Sequence, residues 1–154
     1  MRQYARAKDV HRCMRNLLWP WFLDAGWRKR PGYTCAFVRN DLILWVQPHS
    51  YGDSWSGSQL TLNLNKSESH EIAHGDRILW RLDGESRRVG SEIERRIVAK
   101  LPNLTEPDVE VRPESWEFNR DVWLRYYAED DLAEWSKFLI PRLEGLLSTA
   151  RTSW

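Results

Sequence analysis

Residues 33–65 read YTCAFVRNDLILWVQPHSYGDSWSGSQLTLNLN, and three runs within this stretch have the chemistry of β-strands. Tyr33 to Val38 is aromatic and β-branched, Leu42 to Gln47 is almost wholly apolar, and Leu60 to Asn65 alternates leucine with Thr61, Asn63 and Asn65. A period of two divides the last run into a greasy face and a polar face. Such a split is the habit of an antiparallel sheet covered by helices on one side. Arg39-Asn40-Asp41 is a compact hairpin connection, whereas Pro48 to Ser58 is a Ser- and Gly-rich loop holding Tyr51 and Trp55.

The cover must come from the ends of the chain. Upstream, Val10, Met14, Leu17, Leu18, Trp21 and Ala25 recur at helical spacing, predicting a helix from about Gln3 to Asp24 that kinks or restarts at Pro20 and is capped near Gly26. Trp27 to Arg30 has the character of a short strand, and Arg30-Pro31-Gly32-Tyr33 fits a type II turn. Downstream, Asn65 to Asp76 is polar and without clear periodicity. Arg77 to Leu82 is a fourth candidate strand, and Ser91 with Glu94 makes a capping box that opens a short helix through Lys100. Val109 to Val111 and Asp121 to Tyr127 are further strand candidates. A last helix, from about Asp130 to Ser148, aligns Leu132, Trp135, Leu139, Leu143 and Leu146 on one face and should kink at Pro141. The expectation is one α+β domain spanning residues 1–154, with an antiparallel sheet of four to six strands and the N- and C-terminal helices packed on its leucine face.

Composition supports a folded domain: 154 residues, 42% hydrophobic and 29% charged. Ten tryptophans are several times the usual number, and each buries on the order of 150–250 Å² in a core or anchors an interface. Cys13 and Cys35 have no metal-ligand spacing, and residues 1–16 lack the apolar core of a signal peptide. A cytoplasmic protein is expected, with neither secretion nor a membrane span. The net charge of +1 hides an asymmetry, because residues 1–30 hold eight Lys and Arg against two Asp, which is +6 and leaves −5 elsewhere. That basic end could meet an acidic protein or phosphate, but the small overall charge disfavours a nucleic-acid partner.

A set of short motifs carries a family resemblance. Gly26-Trp27-Arg28-Lys29-Arg30 follows the first helix, then come Phe37-Val38-Arg39, a strand ending in Gln47 with Ser50 behind it, Leu60-Thr61-Leu62-Asn63-Leu64, and Trp80-Arg81-Leu82. The order resembles a family of small bacterial domains of unknown function. Those domains have a helix, a Gly-Phe-basic segment, an aromatic-x-Arg strand, a Gln-x-Ser strand end and a Thr-Val-Asn-like strand. The likeness spans most of residues 17–82; it departs in having Trp27 for the usual phenylalanine and two residues between Gln47 and Ser50. It implies an α+β fold and brings no catalytic residues. Some members of that family look like bacterial immunity or accessory proteins.

One catalytic pattern is present as letters. His70-Glu71-Ile72-Ala73-His74 spells H-E-x-x-H, in which His70 and His74 would bind zinc and Glu71 would act on the attacking water. Its setting is poor: the preceding residues are polar, and Gly75-Asp76 would stop a helix within a turn. Gly52-Asp53-Ser54-Trp55-Ser56 misses the nucleophile elbow. His11 is better placed as a helix-flank residue than as a base, and His49 lacks a partner nucleophile.

The pleat sends Ile43, Trp45, Gln47, Thr61, Asn63, Trp123, Arg125 and Tyr127 to the side of the sheet away from the leucines. Trp, Tyr and Arg dominate binding hot spots, so Trp45, Gln47, Asn63, Trp123, Arg125 and Tyr127 form the candidate binding residues if that face is bare; a covering loop or helix is the alternative. The leading expectation is a non-enzymatic protein-binding domain without a cofactor, of the immunity type that neutralises a bacterial toxin. The alternatives are a small hydrolase holding zinc at His70 and His74, and a module that binds single-stranded nucleic acid.

Overall fold

The computed structural model describes residues 5–49, 58–72, 77–78, 83–100 and 124–152. Three helices, α1 (Ala7–Asp24), α2 (Gly84–Val98) and α3 (Glu129–Thr152), accompany strands β1 (Arg28–Lys29), β2 (Ala36–Arg39), β3 (Leu42–His49), β4 (Ser58–Lys66), β5 (Arg77–Ile78) and β6 (Leu124–Tyr126). All pairings are antiparallel, in the order β1-β2-β3-β4-β5, with β6 also on β4. β4 is the hub: β3 pairs along its whole length, while β6 takes Ser58 to Leu60 and β5 takes Leu64 and Asn65. The α+β architecture expected from the alternation is therefore the one formed. The candidate strands Val109 to Val111 and the outer parts of Arg77 to Leu82 and Asp121 to Tyr127 lie outside the described residues.

The leucine face is the core. Leu42, Leu44, Val46, Leu60, Leu62, Leu64, Leu124 and Tyr126 are buried in one cluster with Val10, Met14, Leu18 and Phe22 of α1 and Leu132, Trp135, Leu139 and Leu143 of α3. α1 and α3 pack on each other, and α2 adds Ile93 and Ile97 to the same cluster from beside α3 and β6. Aromatic stacking ties α1 to β2, since the Phe37 ring lies 4.2 Å from Phe22 and 5.3 Å from Trp19.

α1 runs through Pro20 and α3 through Pro141, where the sequence pattern predicts a kink or a restart. In each case the proline and the residue four positions earlier, Asn16 or Lys137, are exposed, so the carbonyl left without its donor faces water rather than the core. The start of α2 differs from expectation. Asp83 is its N-cap and accepts from the Ser86 amide at 2.7 Å, whereas Ser91 is about two turns inside, donating to the Arg87 carbonyl, and Glu94 is buried. An aspartate ahead of Gly84-Glu85 outcompetes a capping box whose serine would have to leave a helix already formed.

α1 ends in a Schellman motif. Gly26 takes φ +84°, its amide bonds to the Leu23 carbonyl, and the Trp27 amide bonds to Phe22 at 2.8 Å while the two rings meet edge to face. Trp27 is buried, yet its indole Nε1 has no hydrogen-bond partner among the described residues. Replacing it with phenylalanine removes ring area and also removes an unmet donor that costs roughly 1–3 kcal/mol. Trp27→Phe should hold stability within about 1 kcal/mol of the parent in urea unfolding, against the 3–5 kcal/mol typical of truncating a buried tryptophan to alanine. A loss as large as the alanine truncation would mean that the indole N–H is bonded.

A notch at the end of strand β2

The second sheet face is not bare along β4. Thr61, Asn63 and Asn65 are at most 2% exposed, and Ile43 forms a second buried cluster with Ala36 and Val38, against which Tyr33, Trp45 and Ile72 pack. Buried amides need partners, and diagonal cross-strand bonds supply two. Trp45 Nε1 donates to Asn65 Oδ1 at 3.1 Å, and Asn63 Nδ2 donates to Gln47 Oε1 at 3.2 Å.

Part of the cover is the segment after β4. His70 has φ +56°, a left-handed conformation that no residue inside an α-helix can hold, and its ring Nε2 meets the Asn40 carbonyl. The Glu71 carboxylate takes bonds from Arg30 at 2.9 Å and the Tyr33 hydroxyl at 2.7 Å, with Arg30 lying over the Tyr33 ring. Residues 67–72 thus form a strap that brings Ile72 onto the second cluster, and Glu71 is its clasp. The first half of H-E-x-x-H is not helical; His74 lies outside the described residues. Among the described residues no group of three His, Cys, Asp or Glu side chains could hold a metal ion.

Unequal strand lengths open the site. β2 pairs with only the first half of β3, so Gln47 to His49 keep β4 on one side and have passed the end of β2 on the other. Val46 donates to the Cys35 carbonyl at 3.0 Å, so even-numbered β3 amides point toward β2. Pro48 therefore places its donorless nitrogen at the open edge, which is where a sheet tolerates proline. The result is a notch of about 460 Å³, within the range of ligand pockets, with Tyr33 and Trp45 as aromatic walls and His11, Cys35, Gln47 and Ile72 among its lining.

Two of the notch groups have shifted titrations. Burial pushes the Cys35 thiol up to about 12, with Arg15 and Lys29 pulling weakly the other way. Burial, helped by Arg15, holds His11 below its usual value, and its Nδ1 is buried without a partner among the described residues. A thiol held neutral is a poor nucleophile, and the half-buried imidazole is biased toward its neutral form.

Of the residues the sequence selects for binding, Trp45, Gln47 and Asn63 come together, the first two in the notch wall and Asn63 buried behind Gln47. Arg125 pairs with Gln59, four residues along β4 from Asn63 and hence about 13 Å away, and faces Glu94 at 3.4 Å. Tyr127 is half-buried at the β6–α3 junction, where its amide bonds to Asp131 and its carbonyl to the Ala5 amide. Trp123 lies outside the described residues. Sequence reasoning missed His11 and Thr34; the one available signal is that His11, Arg15 and Trp19 share a flank of α1 at four-residue spacing.

Comparisons of the chain with protein-family models, curated proteins and solved structures found no match. No described helix is long and apolar enough to cross a membrane.

Burial raises the Glu94 carboxyl to about 7 from its ordinary 4.5, with Arg125 opposing the shift. A carboxyl raised on folding contributes stability below 4.5 that is lost as pH rises through about 7. Glu94→Gln should flatten that pH dependence and melt above the parent at pH 8, by an amount on the order of 1 kcal/mol or more. A parent whose stability rises between pH 5 and 8 would contradict the burial of Glu94.

Proposed function

We propose that this chain is a non-enzymatic binding domain that captures a protein partner at the notch between α1, β2 and β3. The observation that carries the reading is the notch itself: two aromatic walls in a mostly apolar lining, with a thiol and an imidazole both biased toward their neutral forms. Protein recognition is further supported by the outward face of α1, which exposes Leu17 at 38% and Leu23 at 50% beside its basic residues. The family resemblance adds the biological setting, a cytoplasmic bacterial protein of the immunity type that neutralises a toxin. Among the described residues the hydrolase reading finds no support, since His70 is left-handed and Glu71 is engaged by Arg30 and Tyr33. A single-strand binder needs aromatics presented for stacking, and Trp45 is half-buried with its ring nitrogen bonded to Asn65.

The test is neutralisation. The product of the gene adjacent to this one should arrest growth when expressed alone in a heterologous host, and co-expression of this domain should restore it. Thr34 is exposed on the notch rim, so Thr34→Trp fills the notch from outside without touching the core. That variant should melt within a few degrees of the parent and fail to rescue. Rescue by Thr34→Trp at parental levels would move recognition away from the notch, and a harmless neighbour would remove the immunity assignment.

A further inference from the structure

The notch has walls for a flat apolar group, and the cations Arg15 and Lys29 stand beside it, outside its lining. None of its described lining residues is acidic. His11 and Arg15 stand four residues apart, so both project from the flank of α1 that Trp19 continues onto Phe37. Among the described residues, the charged groups whose fields reach Cys35 are Arg15 and Lys29, Arg15 also acts on His11, and no carboxylate acts on either. Among the described residues, Glu71 is engaged with Arg30 and Tyr33, and Asp9 and Glu129 with Arg12. Among the described residues Arg15 and Lys29 have no carboxylate partner. His11 Nδ1 is buried and unpartnered among those same residues.

We infer that the notch receives a carboxylate from the partner protein: an acidic residue set against His11, Arg15 and Lys29, with an adjoining aromatic side chain lying on Tyr33 and Trp45. The inference rests on the notch being the recognition site and names the chemistry of what enters it. A carboxylate that leaves water for a half-buried site needs charged donors to replace its hydration. Two cations supply them, beside the His11 ring, whose Nδ1 is closed to solvent. The +6 charge of residues 1–30 attracts an acidic segment from a distance, while the apolar walls reward a flat neighbour. A basic partner would meet like charge at the same place.

The probes are acetyl-Gly-Glu-Phe-Gly-amide and its counterpart with Gln for Glu, titrated at millimolar concentration into the isotope-labelled domain and followed by amide shifts. The Glu peptide should move the amides of Thr34, Ala36 and Val46 and bind roughly fivefold tighter than the Gln peptide, the scale of ion pairing near a protein surface. An Arg15→Gln, Lys29→Gln double variant of parental melting temperature should erase that difference, as should high salt. Equal binding of the two peptides overturns the carboxylate assignment while leaving the notch as a recognition site. No shift with either peptide overturns it as well. The rescue assay with Thr34→Trp decides the underlying reading independently, because it needs no knowledge of the entering group.

Discussion

Everything in this fold depends on β4 burying both of its faces at once. Leu60, Leu62 and Leu64 enter the helix-covered core, while Thr61, Asn63 and Asn65 are buried on the opposite side. A slip of one residue would exchange the two sets, placing amides among aliphatic side chains and leucines against Trp45 and Gln47. A buried amide left without partners costs roughly 1–3 kcal/mol, so the bonds from Trp45 to Asn65 and from Asn63 to Gln47 help to fix the register of β3 on β4 as the leucines do. With the register set, Pro48 falls at an open edge, and β5 and β6 share the other edge of β4 at its two ends.

The notch follows from that arrangement. β3 is eight residues long and β2 four, so the hairpin cannot close its far end, and the turn leading into β2 leaves Tyr33 and Thr34 beside the uncovered part of β3. The strap supplies one wall because Glu71 is clasped by Arg30 and Tyr33. The flank of α1 supplies the other through His11. A site built this way is rigid in its backbone, with sheet on one side and helix on the other. Its rim is made of a few side chains on that frame, which is the division of labour a binding scaffold uses.

How much of this could be read from residues alone varied with the range of the interaction. The leucine period of β4 and the helical stripes of α1 and α3 are local signals, and they report the core because burial repeats with the element's own geometry. The capping box at Ser91 and Glu94 is also local, but it competes with Asp83 for the same helix, and a pattern cannot say which of two caps wins. Whether Asn63 and Asn65 face water or cover depends on contacts made by distant segments; alternation looks the same in both cases. His70 and Glu71 show the opposite failure. Their spacing fits a zinc motif, yet the left-handed turn at His70 and the reach of Arg30 across 41 residues of chain to Glu71 give them a structural role. The notch was the least legible feature, since it arises from a difference between two strand lengths rather than from any run of residues.

The sheet is sealed on both faces along β4 and, among the described residues, is open where β2 stops. Native-state hydrogen exchange tests it residue by residue, because sealed amides exchange only by global unfolding and open ones exchange through local fluctuation. The amides of Leu60 to Leu64 should be the slowest in the protein, those of Asn63 and its leucine neighbours being alike, while Thr34 exchanges orders of magnitude faster. Exchange at Asn63 as fast as at Thr34 would mean that the second face is bare, and the notch would lose its standing as the open part of this sheet.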